Sequence, residues 1–315
     1  MKFLFRSLFV LQLMFPFYVY VNRVNRERDK NTLLFPLIDH FYGMMKKTQA
    51  IYCFLWFFMF FLFEKIEDFG KQKKPISTYL MYGIPLAALC LCVLAMLVFT
   101  HVFQFFLTIM AVQKFLLYFY PSSQKYIVLS SKNMHYFIRY VYYLFISKDV
   151  ISRILFFFNS KKLLQKDEKG TELVWLAIDF DVICFATLNI SFFISALLYI
   201  PILISVQKKS HLRSVQESKP QIYIFSQTIT VLVVKMIYTP YFLFIHFDNF
   251  KTMIISTRIW DVFSIPVIIQ ISYLTCNRQN VITLFASFKG MKLVKELIKP
   301  EATTRVSPDP GRHRI

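Results

Sequence analysis

The sequence predicts an all-α membrane protein in which seven helices cross the bilayer as one bundle. Hydrophobic residues make up 56% of the 315 residues and charged residues 17%, whereas soluble domains have about 45–50% and about 25%. The apolar residues come in long blocks rather than in alternation with polar ones, which is typical of membrane helices. Short basic segments separate the blocks, as in membrane proteins that keep lysine and arginine on the cytoplasmic side.

Aromatic residues crowd the ends of the apolar blocks, as expected at the two membrane interfaces. The first block is followed by no small-residue cleavage site, so it predicts a short first membrane helix rather than a signal peptide. The predicted spans cover about residues 3–20, 49–64, 79–118, 134–158, 175–206, 222–246 and 253–274.

The third span decides the number of crossings. From Pro75 to Gln113 the chain runs 39 residues without Asp, Glu, Lys or Arg. A helix of that length would be nearly twice as long as a bilayer core of ~30 Å is thick, so the run is a hairpin or one long helix. Residues 86–113 contain no Gly, Pro, Asn or Asp to form a turn. We therefore expect one helix of roughly 34 residues that begins after Pro85.

Charge distribution supports the single helix and predicts its orientation. Loops 21–48, 119–133 and 207–221 and tail 275–315 then share one side, with 20 Lys and Arg against 7 acids. The opposite loops hold 9 against 6, while a hairpin would regroup the basic residues as 18 against 11. The stronger polarity places the N-terminus outside and the tail inside. Segment 35–45 either lies in the interface or extends the second helix inward.

The residues after the last span predict contact with membrane lipids. Residues 281–299 carry apolar side chains at helical spacing with four lysines among them. This pattern predicts an amphipathic basic helix on the inner leaflet. The polar, proline-containing tail 300–315 predicts a disordered cytoplasmic segment.

The end of the third span resembles the end of the third helix in rhodopsin-like receptors. Those receptors carry an acid, an arginine, an aromatic residue and then a proline seven residues after the arginine. Here Lys114 stands at the arginine position, Phe115 at the aromatic position and Pro121 at the proline. Gln113 replaces the acid, so the usual acid–arginine salt bridge cannot form.

Four further stretches are similar to nematode serpentine chemoreceptors, most closely to class Z. The resemblance covers nearly the whole chain and implies a rhodopsin-like G-protein-coupled receptor for a small molecule. It also implies residence in the plasma membrane, with the sensory cilia of chemosensory neurons as the expected site. The stretches are FPFYVYVNRVNRERDKN (15–31), LLYIPILIS (197–205), KPQIYIFSQT (219–228) and IPVIIQISYLTCNRQN (265–280).

The resemblance also implies where a heterotrimeric G protein would bind. The cytoplasmic end of the third span and the basic loop 207–221 would line the cleft that receives it. In the sixth span, Tyr238 and Pro240 stand where rhodopsin-like receptors carry tryptophan and proline around a bend. The candidate G-protein-coupling residues are Gln113, Lys114, Phe115, Pro121, Lys208, Lys209 and Arg213.

Ionisable residues inside membrane spans are costly and are therefore functional candidates. Lys235 in the sixth span and Asp261 in the seventh lie at similar depths on adjacent helices. We expect them to pair near the ligand cavity, and a purely structural pair is the alternative. Asp179 and Asp181 either meet a cationic ligand or mark the solvent boundary.

The third span supplies the remaining ligand-binding candidates. Thr100, His101 and Gln104 lie about 15–21 Å outward of Lys114 along a helix. Receptors of this shape bind small ligands at that depth, although a lone histidine there is also explained by a hydrogen bond to a neighbouring helix. With Lys235, Tyr238 and Asp261 they form the predicted ligand-binding set.

Other functions find little support in the sequence. It has no Cys/His spacing for a metal, no cofactor motif, no convergent catalytic set and no nucleic-acid-binding arm. A transporter or ligand-gated channel subunit is the alternative function, and the absence of internal repeats and paired broken helices argues against it. Asn189 begins a glycosylation sequon, but the sequon lies within a predicted span.

Overall fold

The computed structural model describes residues 2–30, 35–69, 76–120, 122, 124–127, 130–164, 168–202, 219–246, 249–277 and 282. Within these residues the chain forms seven long helices, short helical turns at Gln124–Ile127 and 199–202, and no strand. The long helices are α1 (Lys2–Asp29), α2 (Phe35–Phe69), α3 (Ile76–Phe119), α4 (Ser131–Leu164), α5 (Glu168–Leu197), α6 (Lys219–Ile245) and α7 (Phe250–Cys276).

The predicted all-α class is confirmed for the described residues, which contain seven long helices. Four stretches of the described chain are long and apolar enough to cross a membrane: Pro85–Phe119, Ile178–Ile202, Phe225–Ile245 and Thr252–Cys276. Helix α4 is less apolar because Arg139, Lys148, Asp149 and Arg153 lie along it. Orientation in the bilayer stays a prediction, and the amphipathic helix predicted at 281–299 lies, apart from Ile282, outside the described residues.

Helix α3 is a single helix of 44 residues, so the uncharged run does not form a hairpin. The expected start after Pro85 is wrong, because α3 begins at Ile76 and Pro85 lies inside it. Proline removes one backbone hydrogen bond from a helix. Membrane helices tolerate that loss because neighbouring groups and local adjustments satisfy the freed carbonyl.

The connection between α1 and α2 is much shorter than the predicted loop 21–48. Helix α1 continues to Asp29 and α2 begins at Phe35, so segment 35–45 extends the second helix. Arg26 Nη2 lies 3.1 Å from Asp39 Oδ1 and joins the two helices across this connection. Polar residues therefore pair between helices here instead of forming a solvated loop.

Helix α3 occupies the centre of the bundle. It packs against α2, α4, α5, α6 and α7, while α1 contacts α2 and α7. The aromatic core lies around α3, where the ring of Phe103 is 5.1 Å from that of Phe41 on α2. Large apolar side chains such as Ile237 and Phe244, 70% and 86% exposed, cover the outer surface. A bundle with an apolar exterior fits a lipid environment.

Candidate functional site

A group of five polar side chains, here called the polar centre, lies where α3, α5, α6 and α7 meet. Its members are Gln104, Asn189, Lys235, Tyr238 and Asp261. Lys235 Nζ is 2.7 Å from Asp261 Oδ2 and 2.9 Å from Oδ1. The two side chains are 1% and 0% exposed. The expected ion pair between α6 and α7 is therefore confirmed.

Three neutral side chains complete the hydrogen bonding of this pair. Lys235 also donates to Asn189 Oδ1 at 2.6 Å. Gln104 Nε2 donates to Asp261 Oδ2 at 2.9 Å, and the Tyr238 hydroxyl donates to Oδ1 of the same carboxylate. A buried ion pair is stable only when further hydrogen bonds satisfy its remaining lone pairs and protons. The polar centre meets that requirement.

Helical spacing explains how α6 contributes two members of the polar centre. Lys235 and Tyr238 are three residues apart, so they lie on the same face of α6. The Lys235 ammonium also lies 6.0 Å from the centre of the Tyr238 ring. Pro240 follows within α6, where the missing N–H and the ring favour a bend. The tie to α7 therefore lies next to the point at which α6 bends most easily.

The two other predicted ligand-binding residues lie about one helical turn before Gln104 on α3. Thr100 is buried, and its hydroxyl donates to the Met96 carbonyl of its own helix at 2.9 Å. His101 is 2% exposed, and neither ring nitrogen has a hydrogen-bond partner among the described residues. Its ring lies between Phe145 and Phe185, with centroids 5.8 and 6.0 Å away. His101 is thus a polar ring in an aromatic environment.

A second ionic group, here called the Asp181 cluster, joins α4, α5 and α7. Lys148 Nζ lies 2.7 Å from both Asp149 Oδ1 and Asp181 Oδ1. Arg258 on α7 donates to Asp181 Oδ2, and its guanidinium lies 5.5 Å from the ring of Phe185. Asp181, expected to meet a cationic ligand or solvent, instead binds two cations of the protein.

Sequence reasoning missed several members of these two groups. Lys148, Asp149 and Arg258 lie inside predicted spans, so the rule that singled out Lys235 would also have found them. Asn189 also carries a signal in the sequence, because it begins a sequon inside a predicted span. In the structure it accepts a hydrogen bond from Lys235.

Among the cavities that border the described part of the bundle, one of 940 Å³ lies mainly between α4 and α5, and another of 600 Å³ lies between α2, α3 and α4. A third, of 560 Å³, is here called the α4–α5–α7 cavity. Its polar lining consists of Asp149, Ser152, Arg153, Asp181 and Arg258. None of the six predicted ligand-binding residues lines these three cavities.

The predicted G-protein-coupling residues are only partly described. Gln113 is buried and Lys114 is half-buried near the end of α3. The ring of Phe115 packs against that of Phe119, with centroids 4.8 Å apart. Pro121, Lys208, Lys209 and Arg213 lie outside the described residues.

A further polar contact, which sequence reasoning did not find, joins the end of α7 to α1. Asn25 Nδ2 donates to Asn277 Oδ1 at 3.0 Å, and Asn277 Nδ2 donates to the Tyr273 carbonyl at 2.9 Å. The ring of Tyr273 meets that of Tyr18 edge to face, with centroids 5.3 Å apart. Both asparagines lie in stretches that resemble the serpentine chemoreceptors. This resemblance is the sequence signal that could have pointed to the contact.

Among the described residues no group of three or more His, Cys, Asp or Glu side chains is placed to hold a metal ion. The polar centre and the Asp181 cluster contain lysine or arginine as the partners of their carboxylates. Their chemistry is therefore charge pairing and hydrogen bonding between helices.

The seven long helices of the described residues have the third at their centre. With an apolar exterior and a buried polar centre, this bundle defines a multi-pass membrane protein of the serpentine class. The chain belongs to the Srz family, since the model of the serpentine type 7TM GPCR chemoreceptor Srz matches residues 1–278. This confirms the resemblance to class Z, which is a receptor family and not an enzyme family. No curated protein and no solved structure gave a significant match.

Proposed function

We propose that this protein is a chemosensory G-protein-coupled receptor that binds a small molecule in the outer half of its bundle. The buried polar centre is the observation that carries the proposal, together with membership of the Srz family. Charges inside membrane helices are costly and are kept where they serve a function. A single group that ties α3, α5, α6 and α7 is suited to report a ligand to the other end of the bundle.

Activation would be a shift between two packings of the helices. A ligand that binds one packing more tightly raises its population. In the resting packing, Lys235 and Tyr238 hold α6 against Asp261 on α7. Release of these bonds would let α6 swing about Pro240. In this proposal Thr100, His101, Gln104, Lys235, Tyr238 and Asp261 bind the ligand or transmit its arrival.

The opposite end of the bundle would bind the G protein. Its candidate residues are Gln113, Lys114, Phe115 and Pro121 at the end of α3, with Lys208, Lys209 and Arg213 in the basic loop. Their positive charges favour acidic or helix-terminal groups of the partner. The positive-inside rule places this end in the cytosol. The amphipathic segment 281–299 would lie on the same leaflet, and sensory cilia are the proposed cellular site.

The proposal is tested by expression in cultured cells with a small-molecule library and a calcium or cyclic-nucleotide readout. A response that disappears in cells lacking G proteins supports it. A ligand-gated current that persists in those cells would instead indicate a channel. Lys235→Met and Asp261→Asn should change the response. If both variants kept normal surface expression and a normal response, the proposed role of the polar centre would be wrong.

A further inference from the structure

We propose that the α4–α5–α7 cavity binds a small organic carboxylate, with Arg153 and Arg258 engaging the acid and the apolar wall taking the hydrocarbon part. This deepens the proposed function, on which it rests, by naming a site and a chemical class of ligand. The cavity of 560 Å³ lies in the range of small-molecule pockets.

The charges around the cavity favour an anion. Three cations, Lys148, Arg153 and Arg258, face two carboxylates, Asp149 and Asp181. Lys148 and Arg258 already pair with these carboxylates. Arg153 lines the cavity, is exposed and has no ion-pair partner among the described residues. One positive charge is therefore left over, and a carboxylate would neutralise it.

Two buried polar atoms in the wall also lack hydrogen-bond partners among the described residues. Arg258 Nε has no hydrogen-bond partner although its side chain is only 14% exposed. A guanidinium can donate two parallel hydrogen bonds to one carboxylate, so this donor suits an acid. Asp149 is 7% exposed, and its Oδ2 is also without a partner. That oxygen would accept from a hydroxyl on the ligand, which indicates a hydroxy acid.

The rest of the wall is apolar. Ile178 and Val182 on α5, Ile254 and Ile255 on α7, and Phe157 on α4 line the cavity. Transfer of a hydrocarbon chain from water into such a pocket is favourable, because apolar surface leaves water. An acid with a short alkyl chain matches both parts of the wall.

The site lies where it would affect the polar centre. Arg258 is three residues before Asp261 on α7, so the two side chains lie on the same face, about one helical turn apart. A carboxylate that binds Arg258 Nε shares this guanidinium with Asp181 and brings a second negative charge close to it. The repulsion between the two carboxylates would weaken the contact between α5 and α7 close to the Lys235–Asp261 pair.

The test measures thermal unfolding of the full-length receptor in nanodiscs. Three probes of equal chain length are added separately, each at a millimolar concentration. The probes are 2-hydroxyhexanoate, 1-hexanol and hexylamine. We expect 2-hydroxyhexanoate to raise the unfolding temperature by about 2–4 °C, because it binds only the folded receptor. 1-Hexanol and hexylamine should leave the unfolding temperature unchanged. No shift with 2-hydroxyhexanoate, or an equal shift with hexylamine, would overturn the inference.

Two variants test whether 2-hydroxyhexanoate binds in the α4–α5–α7 cavity. Arg153→Gln should fold normally, since Arg153 is exposed and has no ion-pair partner in the part of the chain that the structure describes. It should weaken binding of 2-hydroxyhexanoate about tenfold. Arg139→Gln is the matched control, because Arg139 is exposed on the same helix and lines none of the three cavities. An unchanged shift in Arg153→Gln would also refute the site. Because binding is read without signalling, a receptor that binds the acid yet activates no G protein would refute only the proposed function.

Discussion

Gln104 on α3 and Asp261 on α7 are joined by a 2.9 Å hydrogen bond inside the bundle, and both side chains are 0% exposed. The same carboxylate holds α6 through Lys235 and Tyr238. Lys235 in turn binds Asn189 on α5. One carboxylate therefore fixes the central helix relative to the three helices that line one side of the ring. The missing acid–arginine pair at Gln113 and Lys114 leaves this group as a candidate restraint on the resting state.

The first prediction concerns the balance of charge in the polar centre. Lys235→Met leaves a buried carboxylate without its cation, and Asp261→Asn leaves a buried ammonium without its anion. Each change should lower the free energy of unfolding by about 3–5 kcal/mol. The double variant should lose less than the sum, because no unpaired charge remains. Thermal unfolding and cell-surface expression of the two single variants and the double variant measure these losses of stability.

Lys132→Met serves as the control for that series, because Lys132 is exposed on α4 and forms no ion pair among the described residues. Its unfolding temperature and cell-surface expression should equal those of the unchanged protein. Strictly additive losses in Lys235→Met and Asp261→Asn would show that the two charges do not depend on each other.

The second prediction isolates one hydrogen bond. Tyr238→Phe removes the hydroxyl that binds Asp261 and keeps the ring near Phe242 and Trp260, with centroids 6.2 and 6.3 Å away. A hydrogen bond to a charged group contributes about 1.5–3 kcal/mol. Its loss should raise basal signalling, since α6 loses one tie to α7.

The control for this change is Tyr241→Phe, three residues further on and 59% exposed. It should alter neither basal signalling nor unfolding temperature. Cyclic-nucleotide levels in unstimulated cells, normalised to surface expression, provide the measurement. Equal basal levels in Tyr238→Phe and the unchanged receptor would contradict the restraint.

The third prediction concerns the unpartnered ring of His101. His101→Phe removes two buried nitrogens that have no hydrogen-bond partner among the described residues and keeps an aromatic ring between Phe145 and Phe185. Buried polar groups without partners cost about 1–3 kcal/mol. The ligand-free variant should therefore unfold at a higher temperature. If His101 contacts the ligand as proposed, the response should fall at the same time.

Thr108→Val is the matched control on α3, since the Thr108 hydroxyl, like that of Thr100, bonds to a carbonyl of its own helix. Its response should stay normal. A variant His101→Phe that is stabilised but responds normally would assign His101 to packing alone.

Most of the helix content could be predicted from residue patterns. The uncharged run without turn residues predicted one long third helix, and α3 is that helix. The boundaries of α1 and α2 were predicted poorly because their polar residues look like a loop. Asn22, Asn25 and Asp29 are in fact buried within α1 at 5%, 3% and 4% exposure. Polar side chains that pair between helices cannot be told from solvated ones along a single chain.

The candidate site could also be predicted only in part. The cost of charge in a membrane span singled out Lys235 and Asp261, and their similar depth predicted the pair. The bonds to Asn189 and Gln104 depend on the rotation of α5 and α3 about their axes, which the packing of the whole bundle sets. For the same reason, the contact of Arg258 with Asp181 could not be derived from spacing.

The last prediction concerns the contact between α1 and α7. Asn277→Ala removes the bond to Asn25 and the bond to the Tyr273 carbonyl, so the end of α7 loses two ties. Two neutral hydrogen bonds contribute about 1–3 kcal/mol together. The loosened helix end should raise basal signalling and lower the unfolding temperature. Asn133→Ala, an exposed asparagine at the start of α4, is the control and should change neither. A lower unfolding temperature with unchanged basal signalling would limit the Asn25–Asn277 contact to a structural role.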